Sequence, residues 1–461
     1  MTEYAKITII RLSKLLHFSM SVGSLAACCS IFYRYLYTQE LGVMRFWAAV
    51  VIYTVLMLFA LRAYSAYNVG LSRVRLLVYS QSVAQLVSCG ILYLLLVLER
   101  FRLVSPLPMV GLLALQVCMN CLWSYFVNRL YFRLFKARRT LIVYQNKSDL
   151  NRLNEIYRYD KKFQVVKTLA AYGEDVHPFL DEIQKYEAVF VTGIPATLRN
   201  GIAKHCVEHG IRCYITPHVG DVIMMGSKHM ELFSVPVFRV MRAIPKLEYL
   251  AVKRAVDVIC SLLGIVIMSP FMLATALAIR LYDGGPAIYK QVRLTIDGKE
   301  FKILKFRSMR VNAESDGVAR LATDHDDRIT PVGRVIRAIR FDELPQLFNI
   351  LKGDMTFVGP RPERPEIAQQ YQQQLPSFCL RLQVRAGLTG LAQVYGKYNT
   401  DPYDKLQMDL MYINQMSLLE DIKLIFATIK ILFLKDSTSG VAEGQTTAAQ
   451  EEEEEKEYAM N

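Results

Sequence analysis

The sequence predicts three parts: a membrane α-helical N-terminal bundle of four spans, an α/β doubly wound middle domain, and an α+β C-terminal domain with a re-entrant membrane helix. Three observations carry this. The 461 residues are 52% hydrophobic with positive mean hydropathy, above the average for soluble proteins. Apolar residues gather in four long stretches in the first quarter and a fifth beyond the middle. Between them, short strand patterns alternate with polar helical segments, the rhythm of a parallel sheet. The expected divisions are 1–138 for the spans, 139–242 for the middle domain, 243–435 for the C-terminal domain with its re-entrant helix at 253–280, and 436–461 for a tail.

The four stretches, Leu15–Tyr33, Phe46–Leu61, Leu76–Leu98 and Leu103–Val127, are each near the length that crosses a bilayer. No small-residue cleavage site follows the first, so it does not read as a cleavable signal peptide. Lys6, Arg11 and Lys14 precede the first span; Arg62, Arg73 and Arg75 follow the second; Arg129, Arg133, Lys136, Arg138 and Arg139 follow the fourth. By the positive-inside rule these segments are cytosolic, and both ends of the bundle face the cytosol.

The formal charge of +13 understates the basicity of the body, because Glu451–Glu455 concentrates acid in the tail. Anionic headgroups and phosphorylated substrates are the partners that such charge suits. No basic run interleaved with aromatics points to nucleic acid. Nine cysteines are scattered without a disulfide framework, and Cys118-x-x-Cys121 lies inside an apolar span, where packing is its expected role.

In the middle domain, strands are expected at Thr140–Tyr144, Gln164–Thr168, Ala188–Thr192 and Arg212–Thr216. Gln145-Asn146-Lys147-Ser148 after the first has none of the glycines that let a dinucleotide approach the backbone, which excludes an ordinary nucleotide site. His205-Cys206-Val207-Glu208-His209 matches the H-x-x-E-H pattern of some zinc peptidases. Its setting reads instead as a surface helix ending at Gly210, and a regulatory, docking or spacing role suits the domain.

The fifth run, Ala255–Ile279, is long enough to span. Ser269-Pro270 past its middle predicts a break or kink, since proline removes a backbone donor and clashes with the preceding turn. Lys253-Arg254 and Arg280 at its ends suit one headgroup layer, so the helix is expected to enter and leave by the cytosolic face. Residues 244–252 suit an amphipathic segment along the surface.

Beyond it, two short strands around Asp297-Gly298 read as a hairpin rich in Lys290, Arg293, Lys302, Lys305, Arg307 and Arg310. Asp342-Glu343 then precedes a short helix with Leu344, Leu347, Phe348 and Leu351 at helical spacing and Gly353 as its stop. Asp342 is expected as the N-cap, which would keep it ionised beside an anion-attracting helix end. An ionised carboxylate there can attack phosphorus, and its neighbour can hold a divalent cation. For two such residues alone, a capping Asp followed by a first-turn Glu is the more ordinary account, so the dyad needs support from elsewhere in the chain.

The ordered blocks Pro286–Arg293, Lys305-Phe306-Arg307-Ser308-Met309, Ile329-Thr330-Pro331-Val332-Gly333, Asp342-Glu343-Leu344-Pro345-Gln346, Gly353-Asp354-Met355, Gly359-Pro360-Arg361-Pro362-Glu363 and Gly387–Val394 closely resemble the bacterial sugar transferases. These are monotopic polyprenyl-phosphate glycosyl-1-phosphate transferases, and the four spans resemble their long form. The resemblance covers residues 250–435 and implies a catalytic domain there. It implies an exchange in which Asp342 attacks the sugar-bearing phosphate of a UDP-sugar and UMP leaves. Undecaprenyl phosphate then takes the phosphosugar, starting capsular or exopolysaccharide repeat units. Glu343 matches the residue associated with Mg²⁺, while Lys305 and Arg361 match phosphate-binding positions, with Arg307 and Lys397 as further phosphate contacts. Ser269-Pro270 matches the family's helix break. Departures fall at Thr295, where the family often has Gly, at Arg340-Phe341, where it has Ser-Leu, and at Lys397, where Lys lacks Arg's bidentate fork.

Two rivals stand beside this reading. One is a metal-dependent glycosyltransferase using Asp324-His325-Asp326 as a D-x-D site and releasing UDP. The other is a non-catalytic membrane scaffold in which the dyad only caps a helix. The transferred sugar and the number of identical chains in any homo-oligomer stay open. A closing helical segment is expected over Asp409–Leu434, and the tail from Asp436 is expected to be disordered.

Overall fold

The computed structural model describes residues 2–33, 42–171, 176–243, 245–311, 313, 326, 328–396 and 400–432. The Asp324-His325 pair, Lys397 and the tail lie outside the described residues. The chain forms two compact units, Met1–Pro217 and His218–Asn461.

In the first unit, four helices, α1 (Glu3–Phe32), α2 (Gly42–Ala63), α3 (Val74–Arg100) and α4 (Leu107–Leu134), are each long and apolar enough to cross a membrane. Apolar faces alone give little reason for helices to associate in lipid, and polar side chains buried between them supply one. His17 joins Tyr67 Oη at 2.9 Å through Nδ1 and Asn120 Oδ1 at 3.0 Å through Nε2. Asn120 Nδ2 donates to Gln85 Oε1 at 2.7 Å, and Gln116 Nε2 donates to Tyr53 Oη and to the Ser21 carbonyl, both at 3.1 Å. This seam fixes which helix faces meet.

A parallel sheet follows, with β1 (Arg138–Tyr144), α5 (Lys147–Arg152), β2 (Phe163–Ala170), α6 (His177–Ile183), β3 (Ala188–Thr192), α7 (Ala196–Glu208) and β4 (Arg212–Ile215). Strand order is β2-β1-β3-β4, all parallel, which is the crossover pattern that the alternation predicts. Leu141, Val143, Val189, Val191, Leu198 and Ile202 form its core.

The middle domain was expected to reach 242, but α8 (Val219–Met225) and the hairpin β5 (Lys228–Leu232) with β6 (Val235–Arg239) fall in the second unit. The reason is packing: Val222 lies in one apolar cluster with Val358, Ile367 and Leu410, and Asn414 Nδ2 donates to its carbonyl at 2.6 Å.

Next comes α9 (Leu247–Asp283), a single helix of 37 residues. The expected break at Ser269-Pro270 is not an interruption. Pro270 has no N–H for the Val266 carbonyl, and the Ser269 hydroxyl donates to that oxygen instead, at 2.8 Å. Lys253 and Arg254, expected at a headgroup layer, reach protein groups. Lys253 Nζ reaches Asp421 Oδ2 at 2.6 Å, and Arg254 donates to the Ile350 and Leu351 carbonyls at 2.7 and 2.8 Å. At the other end Met272, Ala276 and Ile279 pack with Phe306 and Ile336. Both ends therefore rest on the same unit, while Ile259, Leu263, Val266, Phe271, Leu273 and Leu277 are exposed.

The rest is mixed α/β: antiparallel β7 (Ile288–Leu294) and β8 (Glu300–Phe306), α10 (Pro331–Ala338), α11 (Gln346–Lys352), β9 (Thr356–Val358), α12 (Pro365–Gln374), β10 (Gly387–Thr389), α13 (Leu391–Tyr395), α14 (Pro402–Asn414) and α15 (Leu418–Leu432). β9 and β10 pair in parallel, and their backbones meet so closely at Gly359 and Gly387 that a side chain on either would strike the other strand.

Candidate active site

Asp342 was expected to cap α11, but that helix starts four residues later. Residues Phe341–Glu343 form a 3-10 turn, and Asp342 accepts no capping bond. Pro345 explains the difference. It offers no N–H to the Phe341 carbonyl four residues back, so the Leu344 N–H takes that oxygen at 3.2 Å in the tighter pattern. Arg340 enters the turn with φ 58°, a left-handed backbone that a non-glycine residue adopts at some expense. Phe341 secures the turn by packing with the cluster of Ile279, Phe306 and Ile336.

Three elements deliver cations to Glu343. Lys305 near the end of β8 places Nζ 3.5 Å from Glu343 Oε1, and Arg361 in the loop after β9 places Nη2 3.2 Å from the same oxygen. Arg340 Nη1 lies 3.9 Å from it. Burial would raise the Glu343 carboxyl, but the charges of Lys305, Arg361 and Arg340 outweigh it and hold Glu343 well below the usual carboxylate range.

Asp342 goes the other way. Burial, then the adjacent Glu343 charge, push its carboxyl up, and Lys305, Arg337 and Arg340 only partly oppose them. Its Oδ1 is buried without a hydrogen-bond partner among the described residues. Burial likewise lowers Lys305, with Glu343 holding it up in part.

Of the hairpin cations, Lys305 is paired with the dyad. Arg293 donates to Gln291 Oε1 and to the Pro362 carbonyl, and Arg307 pairs with Asp283. The structure thus brings Lys305, Arg361, Asp342 and Glu343 together and assigns Arg307 to the turn at the end of α9. Asp326, the one described member of the D-x-D triplet, is held by Arg328 at 2.6 Å.

A buried network supports the Arg361 loop. Arg381 donates to the Arg361 carbonyl at 2.9 Å and pairs with Asp409 at 2.7 Å and Glu363 at 3.5 Å. From α9, Asp257 accepts from Thr356 Oγ1 at 2.7 Å and from the Phe357 N–H at 3.1 Å, fixing β9. Sequence reasoning missed Arg381, Asp409 and Asp257. Only Asp257 left a signal, as the one carboxylate in an otherwise apolar run. Thr295 also has a place: its hydroxyl donates to the Asp354 carbonyl and accepts from the Ala386 N–H, both at 3.1 Å.

Fold and site together define a membrane-associated α/β protein with two dissimilar carboxylates under a ring of cations. The profile of the bacterial sugar transferase family matches residues 248–435. An N-acetylgalactosaminephosphotransferase of Aeromonas hydrophila, acting from UDP-N-acetylgalactosamine on undecaprenyl phosphate, is 42% identical over 41% of this chain and 45% of its own. A UDP-glucose:undecaprenyl-phosphate glucose-1-phosphate transferase of Caulobacter vibrioides is 40% identical over 40% of this chain and 71% of its own. An undecaprenyl-phosphate galactose phosphotransferase of Salmonella typhimurium is 32% identical over 62% of this chain and 57% of its own. The chain spans about half the length of the first relatives it matches. It belongs to the bacterial sugar transferase family.

Proposed function

We propose that the protein transfers a sugar-1-phosphate from a UDP-sugar to undecaprenyl phosphate through Asp342. The observation that carries this reading is the division of labour in the dyad: one carboxylate immobilised by three cations, the other buried beside it with an oxygen unpartnered. The Asp342 carboxylate attacks the phosphorus that bears the sugar, the bond to the UMP oxygen breaks, and UMP leaves with that electron pair. An oxygen of undecaprenyl phosphate then attacks the same phosphorus and releases Asp342, giving a lipid-linked diphosphate sugar.

Phosphoryl transfer asks a protein chiefly for position and charge neutralisation. Lys305, Arg361 and Arg340 outnumber the two carboxylates, so the site attracts an anion. Diphosphate oxygens compete for the cations on Glu343, and phosphate charge shared with them lowers the barrier. The Asp342 Oδ1 and the Glu343 carboxylate are hard oxygen donors that fit Mg²⁺, which would supply further charge neutralisation there.

α9 supports placement at the cytosolic surface of the inner membrane. Both of its ends bind one unit, so the helix reads as dipping into the leaflet with its exposed apolar face in lipid. A polyprenyl acceptor then reaches the site from the membrane plane. A start to capsular or exopolysaccharide repeat units fits that product.

The test is to incubate membranes with a panel of UDP-sugars and undecaprenyl phosphate. UMP release is expected, and Asp342→Asn is expected to lower it on the order of 10⁴-fold. Mass spectrometry of the wild type given UDP-sugar alone should find the phosphosugar on Asp342. Stoichiometric UDP, or full activity in Asp342→Asn, overturns the reading.

A further inference from the structure

We propose that His205, Glu208 and His209, at the end of α7, form a binding site for a divalent transition-metal ion such as Zn²⁺. One ligand atom from each of the three lies within 4.8 Å of the others. The two histidines stand four apart at the end of a helix, and their rings are tilted together with centroids 4.1 Å apart.

The hydrogen bonds set the chemistry of the ring nitrogens. His209 Nδ1 lies 3.0 Å from the His205 carbonyl, which only accepts, so Nδ1 carries the proton and the Nε2 of the neutral ring presents its lone pair. Gln184 Nε2, a donor, lies 3.3 Å from His209 Nε2 and 3.3 Å from His205 Nε2. One amide NH₂ thus bridges two converging lone pairs, which is where a shared cation would sit. Ligands on one tetrahedral Zn²⁺ are about 3.4 Å apart, from Zn–N bonds of about 2.0–2.1 Å.

Little has to move to close the set. Glu208, His209 and Gln184 are exposed, so the amide can swing out and the carboxylate can turn in, while the half of the pair on His205 is held by burial. The His209 Nδ1 bond to a backbone carbonyl is the outer contact that commonly fixes a ligating ring. Two imidazoles and a carboxylate select Zn²⁺, Ni²⁺ or Cu²⁺ over Mg²⁺, which prefers all-oxygen ligands. The ion would staple the last turn of α7 to the turn that leads into β4. This proposal is independent of the transferase reading.

The test uses full-length protein in nanodiscs, stripped with EDTA and returned to Mg²⁺, then titrated with Zn²⁺ against a chromogenic chelator. The wild type is expected to hold one more tight Zn²⁺ than His209→Ala. Glu208→Gln should weaken that Zn²⁺ by about 10–100-fold, and Gln184→Ala should retain or tighten it. His209 is exposed whereas His205 is buried, so His209→Ala keeps the fold and decides the matter. With Cu²⁺ as probe, electron paramagnetic resonance should show two nitrogen ligands in the wild type and one in His209→Ala. Identical Zn²⁺ titrations of wild type and His209→Ala overturn the site.

Discussion

Asp342 and Glu343 are consecutive residues in one turn, yet their carboxyls are displaced in opposite directions. The difference follows from side-chain direction, since three cations sit against Glu343 Oε1 while Asp342 Oδ1 is buried without a partner. Lys305 opposes burial at both, so Lys305→Met should move both upward. If Asp342 must be ionised to attack, the acid limb of kcat/KM then shifts to higher pH. Activity lost at neutral pH should recover in part as pH rises. A drop of about 10²-fold that is the same at every pH would instead mark Lys305 as a phosphate ligand only. Asp342 also bears on stability. A carboxylate raised above its unfolded value destabilises the fold at pH above that raised position, and the penalty fades as pH falls through it. Asp342→Asn should therefore unfold at a higher temperature than the wild type near neutral pH, with the gap closing in acid. The dyad and its family blocks were legible in the sequence. The opposite displacement of the two groups was not, because it depends on cations 38 positions before Glu343 and 18 after it.

Among elements, β9 shows how much of a site depends on residues outside it. Its three residues carry the chain into the Arg361 loop and are held by Asp257 of α9, through Thr356 and the Phe357 N–H. Asp257→Ala leaves a buried hydroxyl and a partly buried N–H without their acceptor. Denaturant unfolding should show a loss of about 2–4 kcal/mol, and sugar transfer should fall with it, whereas an unchanged midpoint would mean that β9 is secured by Gly359 and β10 alone. Periodicity identified the hairpin and the parallel strands well. The start of α11 was missed because Pro345 was weighed as a tolerated first-turn residue, when its missing donor tightens the turn before it. The β5–β6 hairpin left no turn signal of the usual kind, since Phe233 and Ser234 occupy the positive-φ positions where Gly or Asn is common.

For the whole molecule, the question that matters most is whether α9 crosses the bilayer. At 37 residues the helix is about 55 Å long, more than a hydrocarbon core requires. Cysteine reporters at Lys246 and Tyr282, in a background without native cysteines, separate the topologies. Membrane-impermeant maleimide should label both from the cytosolic face of oriented vesicles, and labelling from opposite faces would mean a full span. Charge at the ends of the run pointed to re-entry, with Lys253 and Arg254 read as headgroup contacts. In the structure both are tied to protein groups of the unit on which Ile279 also packs, and the proposed re-entry rests on that hold until the maleimide test decides it. That hold has a mechanical meaning. Arg254 grips the end of α11, the helix that follows the dyad, and Asp257 grips the strand that leads to Arg361, one turn apart on α9. On the proposed reading, with α9 dipping into the leaflet, the depth of the dyad relative to the acyl chains would be a fixed dimension of the protein, like the height of a tool on a rigid mount, and a lipid phosphate would have to be raised or lowered to meet it.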